Sequence, residues 1–330
     1  MQIVVLDGKT VNPGDNPWTP LEALGELTVH DRTSPADVRH RAGSAEIVLT
    51  NKTPLTRDIL AQLDKLRFIA VMATGYDVVD LEAASERGIP VSNVPSYGAK
   101  SVAQFVLALI LEHCHQIALH DQAVKSGEWS RAEDFCFWKT PQIELSGLKM
   151  GIIGFGKTGR RVAELAHALG MDIIVYTPRI RDTPSYKPFA WKSLEEVFAE
   201  ADVVSLHCPL KPDNAGFVDK NLLALMKKSA FFINTARGAL VNEPDLAEAL
   251  NTGMLAGAAL DVVAEEPIRK DNPLLKAKNC IITPHIAWAS LDSRKRLLGA
   301  VAENIKAFLA GRPTNVVNMV NDFSGTTYEK

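Results

Sequence analysis

Cysteine is scarce and scattered: Cys114, Cys136, Cys208 and Cys280 form no C-x-x-C pair in a chain of 330 residues. That spacing argues against a disulfide framework or a zinc cluster, and no metal site is expected; reduced, mostly buried thiols are. Long apolar runs are missing as well. The longest, Phe105 to Leu111, stops at Glu112, far short of the roughly 18 residues that span a bilayer. No basic tract offsets the acidic residues: 36 Lys and Arg against 39 Asp and Glu leave a formal charge of −3. Neither nucleic acid nor an anionic membrane surface is therefore an expected partner. The first ten residues, MQIVVLDGKT, lack a basic region followed by a long apolar core and a cleavage site, so a cytoplasmic location is expected. No short-period repeat or low-complexity tract is visible.

What is present is ordinary for a globular protein, with 46% hydrophobic and 23% charged residues, and the length exceeds a single typical core. Two domains are expected. Early in the chain the β-branched runs at 3–7, 46–50 and 67–73 alternate with the helical patterns TPLTRDILAQL and VVDLEAASERG, the rhythm of a parallel sheet with helices on its faces. Pro95 and Gly98 interrupt periodicity in NVPSYGAK and mark a linker. SVAQFVLALILEH is apolar around nearly its whole circumference, which predicts a helix buried between domains or subunits. Residues 120–147 read as irregular. A second βα series then places strands near 149–153, 172–176, 202–206, 230–234, 256–261 and 279–283, the count of a doubly wound sheet. Ser193 and Glu196 have the spacing of a capping box, and Gly253 closes the helix EPDLAEALNT. The tail beyond 290 is helical.

The stretch MGIIGFGKTGRRVAELAHALG carries Gly154, Gly156 and Gly159 as G-x-G-x-x-G between a strand and an amphipathic helix. The first glycine permits a tight turn, the second admits a pyrophosphate to the backbone, and the third lets the helix pack closely. Amides of the helix start, at Lys157 and Thr158, would meet the anion. A dinucleotide site follows, and its preference is read at the end of the second strand. There DIIVYTPRIRD has Thr177 where NAD enzymes place an acid, followed by Arg179 and Arg181. Two guanidiniums beside a missing carboxylate suit a 2′-phosphate, so NADP(H) is favoured with NAD(H) as the alternative.

Three further strand ends carry reactive side chains: Arg237 in NTARGALVNEPDL, Glu266 in ALDVVAEEP and His285 in TPHIAW. Ligands bind outside the carboxyl ends of strands in such sheets, so the three are expected in one crevice. Arginine can clamp a carboxylate bidentately, histidine can carry a proton near neutrality, and a carboxylate beside it favours the imidazolium. His207, which also follows a strand, lacks such a partner motif and reads as structural.

In order and over nearly the full length, these motifs resemble the D-isomer-specific 2-hydroxyacid dehydrogenases. The resemblance implies two Rossmann-like, doubly wound parallel-sheet α/β domains with the active site in the cleft between them. Residues 1–98 plus 290–330 would form the flavodoxin-like substrate domain and 99–289 the NAD(P)-binding domain, in a homodimer joined mainly through the latter. It also implies Arg237, Glu266 and His285 as the catalytic set, and Asp261 as the contact to the nicotinamide amide. ATGYDVVD, with Thr74 and Gly75, looks like the family's substrate-carboxylate loop, and Lys52 in TNKTPL lies at another position near substrate. GEWSRAEDFCFW, ATGYDVVD and PHIAWAS together resemble the hydroxypyruvate reductase or glycerate dehydrogenase branch. Trp288, and Trp138 if its loop reaches the site, would narrow the pocket toward small 2-keto acids such as hydroxypyruvate, with glyoxylate also accepted. Another D-2-hydroxy acid, or a dinucleotide-sensing corepressor role, are the alternatives.

Overall fold

The computed structural model describes residues 1–180 and 182–319. The chain divides into two compact units, Met1–Gly98 with the segment that begins at Ala289, and Ala99–Trp288.

In the first unit five strands, β1 (Gln2–Val5), β2 (Glu26–Val29), β3 (Ile47–Thr50), β4 (Phe68–Val71) and β5 (Val91–Ser92), lie in the order β2-β1-β3-β4-β5. All neighbours are parallel. Every residue of β3 and β4 is buried, as befits strands covered on both faces. The predicted β-branched runs are β1, β3 and β4. β2 and β5 have no such signal, because ELTV is only partly buried and β5 is two residues long. The helix patterns of this half shrink to Arg57–Leu60 and Leu81–Glu86; Asp80 caps the second by accepting from the Ala83 amide at 2.8 Å. The long helix Leu291–Leu309 belongs to this unit and stacks Phe308 on Phe68, ring centroids 4.5 Å apart. Beyond it the Val317 amide donates to the Val91 carbonyl oxygen.

The second unit holds seven strands, β6 (Lys149–Ile153), β7 (Asp172–Tyr176), β8 (Phe189–Trp191), β9 (Val203–Leu206), β10 (Phe231–Asn234), β11 (Gly257–Leu260) and β12 (Cys280–Ile282). Their order is β12-β11-β10-β9-β6-β7-β8, all parallel. Six match the predicted positions, and β8 is an additional half-exposed edge strand. The topological switch falls between β6 and β9, which fixes where a ligand crevice opens.

The apolar helix, Ala99–His115, buries one face within this unit. Ala103, Val106, Leu107 and Ile110 share one core with Met150, Ile152, Val162 and Ala166. The segment expected to be irregular begins instead with a helix, Ile117–Lys125, restarted after Gln116 at φ +42°. The capping box is formed: the Glu196 amide donates to Ser193 Oγ at 3.1 Å and the Ser193 amide to Glu196 Oε2 at 2.8 Å.

Candidate active site

At the switch point, Gly154 follows β6 with φ +95°, a conformation that favours glycine. A side chain there would also meet the backbone of His207 and Cys208 at 2.8 Å, so the turn lies flush against the loop after β9. At Gly159 an added Cβ would stand 2.2 Å from the Gly154 carbonyl oxygen, which explains the third glycine by helix-to-turn packing. Gly156 is different: nothing lies within 4 Å of an added Cβ, and it caps the helix Lys157–Ala168 without a side-chain bond to the helix amides. An open approach above uncapped first-turn amides fits a pyrophosphate. Thr235, just past β10, holds a buried hydroxyl with no partner among the described residues, a further polar atom consistent with a bound polar ligand.

Thr177 is half-buried at the end of β7, and Arg179 is exposed beyond it. Arg181 lies outside the described residues. Lys157 is exposed and Thr158 half-buried in the first turn of the helix.

The ends of β10, β11 and β12 are neighbours in the sheet, and from them come Arg237, Glu266 and His285. His285 Nδ1 and Glu266 Oε2 are 2.6 Å apart. An ionised carboxylate only accepts, so Nδ1 carries the hydrogen and Nε2 is left for another partner. His285 has φ +55°, an uncommon conformation for a side-chain-bearing residue, costing of order 1 kcal/mol or more unless the surroundings impose it. Asp261, almost wholly buried at the end of β11, supplies that constraint. Its Oδ1 accepts from the Thr283 hydroxyl at 2.7 Å and the Ile286 amide at 2.9 Å, and its Oδ2 from the Ala287 amide at 2.8 Å. One carboxylate thereby grips the chain on both sides of His285. Burial raises the Asp261 carboxyl above the usual range, opposed by these three bonds and by His285. Three of its roughly four acceptor positions are thus used within the protein.

Arg237 is half-buried. Its Nη1 donates to the Ala236 carbonyl oxygen at 2.8 Å, and no carboxylate among the described residues pairs with it. Asn234, fully buried, shapes the turn beneath: its Oδ1 accepts from the Ala236 amide at 3.0 Å and its Nδ2 donates to the Arg237 carbonyl oxygen at 2.8 Å. The Arg237 turn also touches the segment leading to Glu266, because an added Cβ on Gly238 would lie 1.9 Å from the Val263 carbonyl carbon. Glu243 fastens the same segment, Oε1 accepting from the Ala264 amide at 2.7 Å and Oε2 from Asn272 Nδ2 at 2.8 Å. These supports escape sequence reading, although an invitation exists in the glycine directly after Arg237 and the acid at the start of a helix.

Gly238→Ala should therefore collapse the site. Overpacking commonly costs about 1 to 3 kcal/mol, and here the obstacle is backbone that cannot rotate away. A lower melting temperature together with lost turnover is expected; a variant indistinguishable from wild type in both would contradict this contact.

His207 behaves as a structural residue. Its Nε2 lies 3.0 Å from Ser205 Oγ, and burial pushes its imidazole down to about 3, so it stays neutral at physiological pH and is a poor proton donor. Glu265 is exposed and pairs with Arg269. Trp288 is half-buried, while Trp138 is 68% exposed in a segment without regular structure. In the first unit, Lys52 is exposed, Gly75 half-buried, and the Thr74 hydroxyl donates to the Val94 carbonyl oxygen at 2.9 Å.

Comparison with known proteins gives these geometries a context. Residues 107–287 match the D-isomer specific 2-hydroxyacid dehydrogenase NAD binding domain. A hydroxypyruvate reductase of Blautia hydrogenotrophica is 50% identical over 321 residues, covering 96% of this chain and 100% of that one. Among solved structures, D-lactate dehydrogenase from Aquifex aeolicus complexed with NAD and lactic acid superposes with a TM-score of 0.80 at 28% identity, covering 94% and 96% of the two chains. An acyclic imino acid reductase in complex with NADPH and D-Arg gives a TM-score of 0.83 at 28% identity, covering 96% and 100%.

Proposed function

The chain belongs to the D-isomer-specific 2-hydroxyacid dehydrogenase family, and on that footing we propose that it reduces hydroxypyruvate to D-glycerate. NAD(P)H-dependent reduction of a 2-keto acid is the family's chemistry, and the kinship with a hydroxypyruvate reductase along the whole chain supports this choice of acid. The single observation that carries the reading is the 2.6 Å pairing of His285 with Glu266 on strand ends next to the Arg237 turn.

When bound, the reduced nicotinamide supplies the hydride. Arg237 binds the keto acid: its half-buried guanidinium pairs with no carboxylate among the described residues, which suits it to an anionic substrate. His285 gives the Nε2 proton to the carbonyl oxygen as that oxygen gains negative charge, and Glu266 stabilises the imidazolium beforehand through Nδ1. Asp261 keeps the imidazole in place by holding residues 283–287, and it would also accept from the carboxamide of a bound cofactor. Glyoxylate, which lacks the hydroxymethyl group of hydroxypyruvate but keeps the 2-keto acid that Arg237 and His285 address, is a second substrate. Lys52, Thr74 and Gly75 contribute to substrate binding, and Trp138 and Trp288 to its size limit.

For the cofactor, Thr177 in place of an acid and Arg179 beyond it support NADPH. Following the loss of reduced-cofactor absorbance with hydroxypyruvate should give a higher kcat/KM for NADPH than for NADH. A clear preference for NADH would overturn the cofactor assignment. Absence of turnover with hydroxypyruvate, glyoxylate and other small 2-keto acids would overturn the enzymatic one.

A further inference from the structure

The first unit has a switch point of its own, between β1 and β3, because the chain leaves β1 toward β2 on one side and returns to β3 on the other. In doubly wound sheets that crevice is where anionic ligands settle, on amides at the strand ends. Here it is already filled from within. Asp7 follows β1, is nearly buried, and accepts from three consecutive amides of the turn after β3: Asn51 to Oδ1 at 2.8 Å, Lys52 to Oδ2 at 2.5 Å and Thr53 to Oδ2 at 2.7 Å. The same turn is tied twice more, by the Thr50 hydroxyl donating to the Thr53 carbonyl oxygen at 2.8 Å and by Asn51 Nδ2 donating to the Met72 carbonyl oxygen at 2.6 Å. Asn51 and Thr53 are buried by these contacts, and Lys52 between them is left exposed.

We propose that Asp7 is an internal anion of the switch-point crevice, a positioning residue whose carboxylate fixes the three-amide turn that presents Lys52 to the substrate. Successive amides curved around one point form an anion seat, and three charge-assisted bonds make its occupant a strong determinant of the turn. The side chain of Lys52 can then be oriented without any support of its own, because its backbone is held from below. The functional half of this inference rests on Lys52 meeting the substrate, as proposed above.

The test is Asp7→Ala in the full chain, with kinetics, cofactor titration and melting temperature measured across a sodium formate series and a matched sodium chloride series. Wild type in the same formate series corrects for competition at the substrate site. The KM for hydroxypyruvate should rise about tenfold or more, the scale of one lost charged hydrogen bond, with kcat and NADPH affinity changed far less. Formate should restore both KM and melting temperature by refilling the seat, and chloride should not. Asp7→Asn keeps the volume but turns an amide group toward N–H donors, so it should fold and show the same direction of change. An unchanged KM in either variant, or formate acting no better than chloride, overturns the proposal. Lys52→Met separates the two layers. If it leaves KM unchanged, Lys52 is not a substrate contact and the positioning role falls with it, whereas a raised KM in Lys52→Met beside a normal KM in Asp7→Asn removes Asp7 alone.

Discussion

His285→Ala should lower kcat for hydroxypyruvate reduction by about 10²- to 10⁴-fold, the usual worth of a positioned general acid, with NADPH binding nearly unchanged. The imidazole is expected to act on the substrate oxygen, whereas the cofactor's pyrophosphate is assigned to Gly154, Gly156 and the helix Lys157–Ala168. Those elements share no bond with His285 among the described residues. Loss of chemistry with retention of binding is therefore the signature to look for, read as kcat from initial rates and Kd from quenching of NADPH fluorescence. Glu266→Gln should fall between wild type and His285→Ala. The amide can still accept from Nδ1 but no longer stabilises the charged ring. A His285→Ala protein that turns over at near-normal rate would remove the imidazole from the reaction.

Arg237→Lys should reduce kcat/KM by about 10- to 100-fold, the worth of a charged hydrogen bond or two, and Arg237→Ala by about 10²- to 10³-fold when a charge-stabilising donor is lost altogether. Lysine keeps the positive charge but has no planar fork, so the difference between the variants separates bidentate geometry from charge alone. The effect should appear in KM as well as kcat if, as proposed, the guanidinium meets the carboxylate in the ground state before it assists at the carbonyl. Two variants with equal, small losses would mean that the guanidinium does not touch the substrate.

That Arg237, Glu266 and His285 lie past neighbouring strand ends was legible because each follows a strand that announces itself: FFIN, GAAL and CII are apolar runs, and a parallel sheet brings their carboxyl ends to one edge. The glycine loop was legible for a related reason, since backbone approach leaves a residue-type signature. What holds those residues was not. Asp261 and Thr283 are 22 positions apart, and Asp7 and Thr53 are 46 apart. Such pairs depend on which strands become neighbours, information absent from any local window. The sequence does place Asp7 just past β1 and Asp261 directly after β11, but nothing local says that a carboxylate will turn inward to backbone amides. The short strands β2, β5 and β8 were missed for lack of length or full burial, and the helix Ile117–Lys125 because Gln116 breaks the preceding helix and another begins at once. The apolar helix Ala99–His115 meets its own unit with one face, through Ala103, Val106, Leu107 and Ile110, while Gln104 and Ala108 stay exposed and Phe105 half-buried.

The most direct test is a crystal structure of the protein with oxidised cofactor and hydroxypyruvate bound together. His285 Nε2 is expected within about 2.6 to 3.2 Å of the 2-keto oxygen, with the Arg237 guanidinium on the carboxylate and Glu266 still on Nδ1. A keto acid held elsewhere, or a 2-keto oxygen facing any other donor than His285, would contradict the assignment of the proton to this imidazole.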